Sequence, residues 1–170
     1  MNTTNFIQHL TNWVRGEIFE AAIFGSFGLL TIIISFLFWK FGETPNAKAV
    51  IIPLAVVGTF FFLTAVSVIS SNKKRLVQYT QAYYNDPAAF VKSEKKRVED
   101  FQYLYTVTII VASVCFAISI CVFLSTNNQL LKAIGLALII FGLTGLVIDY
   151  FSKERAEDYY KAITKKIDRL

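Results

Sequence analysis

Glu20, Arg75, Asp100, Asp149 and Arg155 stand at the borders of four long uncharged runs, and they are the residues best placed to do chemistry. A charge at such a border is costly unless it is paired, hydrated or functional. Glu20 and Asp100 enter apolar segments, Arg75 and Arg155 leave them, and Asp149 lies a turn or so above Arg155. The expected arrangement is acid meeting base at the membrane edge within each half of the chain.

Catalysis finds little to work with. His9 is the single histidine and sits on an amphipathic N-terminal stretch, where a surface or interfacial role is expected. No H-E-x-x-H, G-x-S-x-G or Walker-type motif occurs, and no His/Cys cluster. Neither an enzyme nor a bound cofactor or metal is expected. Cys115 and Cys121 are six residues apart, which puts them on nearly opposite sides of a helix, so they read as small packing residues. No charge lies near the middle of an apolar run, which argues against an ion-coupled relay. The polar residues at depth are the hydroxyls Thr31, Ser35, Thr59, Ser113, Ser119 and Thr144. Each is expected to bond backbone on its own or a neighbouring helix.

Small residues form seams at helical spacing. Ala21, Gly25, Gly28 and Ser35 share one stripe, Ala55, Gly58 and Ala65 a second, and Gly135, Gly142 and Gly145 a third. Such seams let helices approach closely in lipid, within one chain or between copies.

The elements that must position these residues are apolar helices. The chain is 55% hydrophobic and 17% charged, against about a quarter charged in soluble domains. Four runs, near 21–41, 49–70, 103–124 and 130–150, each approach the ~20 residues that cross a hydrocarbon core. Helix is the conformation that satisfies their backbone there. Two connections, 40–48 and 125–132, are short and turn-like, whereas 71–102 is long and basic. Fourteen of the seventeen Lys and Arg residues fall in 1–20, 71–102 and 152–170; only Lys40, Lys48 and Lys132 fall on the other side. The positive-inside rule then places both termini and the central segment in the cytoplasm. That topology also leaves the sequon Asn2-Thr3-Thr4 inside the cell.

The charged segments read as helix too. Phe6, Leu10, Trp13, Val14 and Ile18 share a stripe, on an N-terminal helix that lies at the interface or packs on a cytoplasmic bundle. Asp86 and Pro87 read as an N-cap and first-turn pair. Ala156, Tyr160, Ile163, Ile167 and Leu170 form a short seam in the tail.

An offset of eighty aligns Leu63 with Leu143, Thr64 with Thr144, Lys73 with Lys153, Arg75 with Arg155 and Tyr79 with Tyr159. The same shift superposes the apolar runs. The expected fold is all-α and integral to the membrane, with four transmembrane helices arranged as two tandem hairpins and extended into a cytoplasmic bundle. The expected units are an amphipathic helix at 1–19, a first hairpin with basic exit helix at 20–85, and a second at 86–170.

A cytoplasmic helix, two spans and a second cytoplasmic helix, here seen twice, resembles the SLATT type of two-span bacterial effector module. The resemblance covers architecture, without a diagnostic motif, and implies a membrane-disrupting or pore-forming effector. The expected location is the bacterial inner membrane, with both termini cytoplasmic. The expected function is a non-enzymatic, homo-oligomeric channel or pore, whose basic vestibule would concentrate anions; the alternative is a non-conducting scaffold that docks a partner through its cytoplasmic helices. The expected contacts are the lipid bilayer, further copies of the chain and anionic headgroups at the cytoplasmic face. No nucleic acid is expected, because the charge comes without a recognition motif.

Overall fold

The computed structural model describes residues 3–168, with side chains from residue 6 onward. Asn2 of the sequon and Leu170 of the tail seam lie outside them. Helix accounts for 94% of the described residues and no strand occurs among them. The elements are α1 (Thr3–Phe41), α2 (Pro45–Ala49), α3 (Ile51–Asn85), α4 (Pro87–Phe101), α5 (Tyr103–Ser125) and α6 (Gln129–Ile167).

Side-chain caps fix several of the ends. Thr44 accepts from the Ala47 amide at 3.2 Å and Asp86 from that of Ala89 at 3.0 Å, each with proline next in the chain. Asn128 accepts from the amides of Leu130 and Leu131. Between α4 and α5 there is a break of one residue at Gln102, whose backbone stays right-handed, so the two are nearly continuous. No boundary falls at residue 19: α1 runs unbroken through it, and the amphipathic stretch is the lower half of a longer helix.

Length organises the molecule. At about 1.5 Å per residue, the 39 residues of α1 and of α6 each extend about 58 Å, against a hydrocarbon core of ~30 Å. Four stretches are long and apolar enough to cross a membrane: Phe6–Phe41, Pro45–Asn85, Pro87–Ser125 and Gln129–Ile167. Along their apolar runs they present large apolar side chains outward, with Leu63 60% and Ile110 57% exposed. Lipid is the solvent that tolerates such a surface, so the chain is an integral membrane protein.

Within the apolar layer α1 lies along α3, and α5 along α6. Gly28 and Gly58 set the first contact. A Cβ on Gly28 would stand 2.7 Å from the Phe62 amide nitrogen, and one on Gly58 would stand 2.8 Å from the Gly28 carbonyl oxygen. Ser35 donates to the Ile51 carbonyl at 2.7 Å, and Ser119 to the Gly135 carbonyl at 2.9 Å. Gly142 admits the Phe116 ring. These seams are therefore occupied inside one chain. α6 is the hub, touching α1, α2, α3, α4 and α5.

Beyond the apolar layer the lower ends of α1, α3 and α6 join α4 in a water-type core, called the base below. Phe6, Leu10, Trp13 and Val14 meet Tyr83, Phe90, Val91, Val98, Tyr159 and Ile163. Phe6 stacks on Tyr83 at 5.1 Å, and Trp13 on Tyr159 at 5.1 Å with the rings 8° from parallel. Each such aromatic contributes about 1.5–3 kcal/mol by burial. The N-terminal stripe thus packs on the bundle. The buried face of the tail is broader than the expected short seam: Ala156 and Ile163 are buried, Tyr160 and Ile167 lie at the core's margin, and Tyr159 and Ala162 are also buried. α6 meets α1 and α4 here, and two partners need a wider apolar face than a coiled-coil seam provides.

Candidate functional site

Four helices surround a cavity of about 360 Å³ where the base meets the apolar layer. α1 contributes Glu17, Glu20, Ala21 and Phe24, at spacings of 3, 1 and 3 that keep them on one face. α3 contributes Phe60, Phe61, Thr64 and Val68; α5 contributes Val107, Thr108, Val111 and Ala112. From α6 come Phe141, Gly142, Gly145, Ile148, Asp149 and Ser152. The upper end is roofed by aromatic rings: Phe61 stacks on Phe141 at 5.6 Å with a 6° tilt, and Phe24 lies 4.6 Å from Phe61. Val57, Ala137 and Ile140 complete that roof. The lower end holds the three carboxylates. α5 packs along α6 and makes no comparable contact with α1 or α3. Of the lining residues beside that gap, Phe60, Val107 and Val111 are exposed.

Arg155 holds two of the three carboxylates from outside. Its Nη2 donates to Glu17 Oε1 at 3.2 Å and to Glu20 Oε2. Arg155 is absent from the cavity wall; it lines an outer groove between α1 and α6, with Phe19, Ile23 and Val147. Glu20 belongs to both surfaces. Glu20 Oε1 and Asp149 Oδ2 are buried without a hydrogen-bond partner among the described residues. Metal chelation does not follow, because no three carboxylate, His or Cys side chains among the described residues are placed to hold one ion.

The expected charge pairs are therefore only partly assembled. Arg155 of the second half meets Glu20 of the first, so the pairing crosses the halves rather than closing within each. Arg75 and Asp100 are exposed and form no ion pair among the described residues. Asp149 lines the cavity without touching Arg155. Of the seam residues, Ala21, Gly142 and Gly145 line the cavity, while Gly25, Gly28, Ser35 and Gly135 are buried in the helix-pair contacts. The hydroxyls at depth behave as packing groups. Thr31, Ser113 and Thr144 donate to the carbonyl four residues back, and Thr59 is exposed. The cavity hydroxyls are instead Thr64, Thr108 and Ser152, and helical spacing from Asp149, three residues earlier, was the signal that could have found Ser152.

A second polar cluster sits inside the base. Glu94 is almost wholly buried, with 4% of its side chain exposed. It accepts from Arg97 Nε at 2.9 Å and Nη2 at 2.8 Å, and from the Tyr159 hydroxyl at 3.1 Å. The Arg97 guanidinium also lies 4.6 Å from the Trp13 ring centre. Burial alone would lower the Arg97 pKa, but hydrogen bonds and charge from Glu94 outweigh it and the net direction is up. Burial, then the Glu94 charge, pushes the Tyr159 phenol well above its ordinary value, so it stays a donor. Glu94, Arg97 and Tyr159 satisfy one another, which marks a structural lock rather than a binding site, while Trp13 Nε1 and the Tyr83 hydroxyl are buried in the same core without a partner among the described residues. His9 is exposed beside this region, on a shallow groove with Asn12 and Asp158.

No protein-family model, curated protein or solved structure matches the chain.

Proposed function

We propose that the chain is a non-enzymatic membrane channel or pore, built from two tandem hairpins and working as an assembly of identical copies, with its base and both termini in the cytoplasm. The observation that carries this reading is the blind cavity between the helix pairs, acidic at one end and roofed by stacked phenylalanines at the other. A carboxylate-lined vestibule concentrates cations, and an apolar constriction gates by wetting. The lining is opposite in sign to the basic exterior, so the reading is of a cation pathway rather than an anion one.

The tandem-hairpin reading draws support from the two serine bonds between neighbouring spans, which join residues 16 apart in both pairs. The cytoplasmic base draws support from the segregation of fourteen basic residues to the sequence segments 1–20, 71–102 and 152–170.

Purified protein in planar bilayers tests the proposal. Cation-selective current is expected, increased by Phe61→Ala or Phe141→Ala and made less selective by Glu20→Gln. No current from the parent or the Phe→Ala variants, across voltage, pH and tension, would favour the scaffold instead. That second reading rests on the base, whose aromatic core and buried Glu94–Arg97 pair make a rigid platform with a basic exterior.

A further inference from the structure

We propose that the cavity between the helix pairs is a binding site for an amphiphilic organic ammonium ion, one with a charged amine at one end and an aromatic or branched apolar body. The inference names a ligand for the same cavity and so deepens the pore reading, yet its test reads binding and not current. At about 360 Å³ the space falls within the range that holds small ligands. Its walls are mainly apolar, with the rings of Phe24, Phe61 and Phe141 at the roof. A small inorganic cation would meet the carboxylates at the lower end and leave the apolar remainder of the space unfilled. An anion would face three carboxylates, and a purely apolar guest would leave two buried carboxylate oxygens without donors.

An ammonium group resolves that last problem. Arg155 already satisfies one oxygen of Glu20 from the outer groove, and Glu20 Oε1 and Asp149 Oδ2 remain unpaired. A primary amine carries three N–H donors. Its apolar body then lies against rings whose faces also attract positive charge. Lateral entry between α3 and α5 is the route we infer, because the two helices are not packed on each other and the lining residues Phe60 of α3 and Val107 and Val111 of α5 are exposed. A guest that partitions into the bilayer reaches this opening without crossing water.

Equilibrium dialysis of radiolabelled 2-phenylethylammonium against the full chain in phosphatidylcholine nanodiscs, with empty discs subtracted, tests the site. Saturable binding is expected. Neutral 2-phenylethanol, of the same shape, should bind at least about tenfold more weakly. Asp149→Asn keeps the volume and breaks no ion pair, and should weaken the ammonium at least about tenfold. Gly145→Leu keeps every charge and fills the cavity: a Cβ there has ordinary contact with Thr108 at 3.5 Å, and the rest of the side chain has only the cavity to occupy. It should abolish binding. Equal affinity for the alcohol, or unchanged ammonium binding in Gly145→Leu, overturns the proposal, as does unchanged binding in Asp149→Asn. If Asp149→Asn fails to give monodisperse protein, the alcohol comparison on the parent chain and Gly145→Leu still decide. Binding without conductance would retain the site and remove the pore; conductance without binding would do the reverse.

Discussion

Tyr159 shows how much one side chain in the base carries. Its ring stacks on Trp13 and its hydroxyl donates to Glu94, which Arg97 also holds. Tyr159→Phe keeps the stack and removes one bond to a buried carboxylate, so a loss of about 1.5–3 kcal/mol is expected, read as a lower midpoint of thermal unfolding in detergent. The pH dependence follows from the direction of the phenol's shift. A folded-state pKa above the unfolded value gives stability that is complete below about pH 10 and is lost as pH rises toward the folded value. The parent should therefore lose more stability than Tyr159→Phe between pH 9 and 11, a range set by the unfolded phenol at about 10. Equal slopes in the two proteins would remove Tyr159 from the account. None of this lock was visible beforehand. Glu94 reads as one acid in a charged stretch, and only the rotation of α4 against α6 turns it inward. The same reason hid the partner of Arg155: the sequence placed both charges at one depth, but which acid lies beside it depends on how α6 is set against α1.

At the scale of the helix, the seams were legible because close packing in lipid demands small residues at helical spacing, and little else satisfies that demand. Gly28 sits where a Cβ would meet backbone, the Phe62 nitrogen and the Gly58 carbonyl oxygen, and backbone cannot rotate away. Gly28→Leu should force α1 and α3 apart and cost about 1–3 kcal/mol or more. Gly145→Ala, whose Cβ finds ordinary contact at 3.5 Å, should change stability by less than about 1 kcal/mol. Comparable losses in the two variants, read from thermal midpoints, would sink the assignment. The register of the proposed repeat was only half legible. Exit helices align at an offset of eighty, but Ser119 and Gly135 lie 84 positions after Ser35 and Ile51, and Asn128 caps its helix 84 after Thr44. The first return helix is thus four residues longer, close to one turn of 3.6, which keeps its faces in step while breaking a fixed-offset alignment.

For the whole molecule the deciding quantities are helix length and the distribution of charge. Helices of about 58 Å cannot be contained in a core of ~30 Å, so one end of the bundle must stand in water. That end is the base, since its core is closed and its exterior carries most of the Lys and Arg. The opposite end offers only the turns capped by Thr44 and Asn128, with Lys40, Lys48 and Lys132 near them. Fourteen basic residues against three give the positive-inside rule a wide margin, and neither turn is long enough to act as a translocated domain with its own preference. The cavity's carboxylates lie at its base end, so the orientation also decides which membrane face they lie nearer. Single cysteines at Thr44, Asn127 and Lys165, in a chain with Cys115 and Cys121 replaced by serine or alanine, read the topology directly. An impermeant maleimide added to intact cells should label the positions at Thr44 and Asn127 and spare that at Lys165. After permeabilisation all three should react, which shows that the protection came from the membrane and not from burial. Labelling at Lys165 in intact cells would invert the molecule, and the cavity's carboxylates would then lie nearer the outer face.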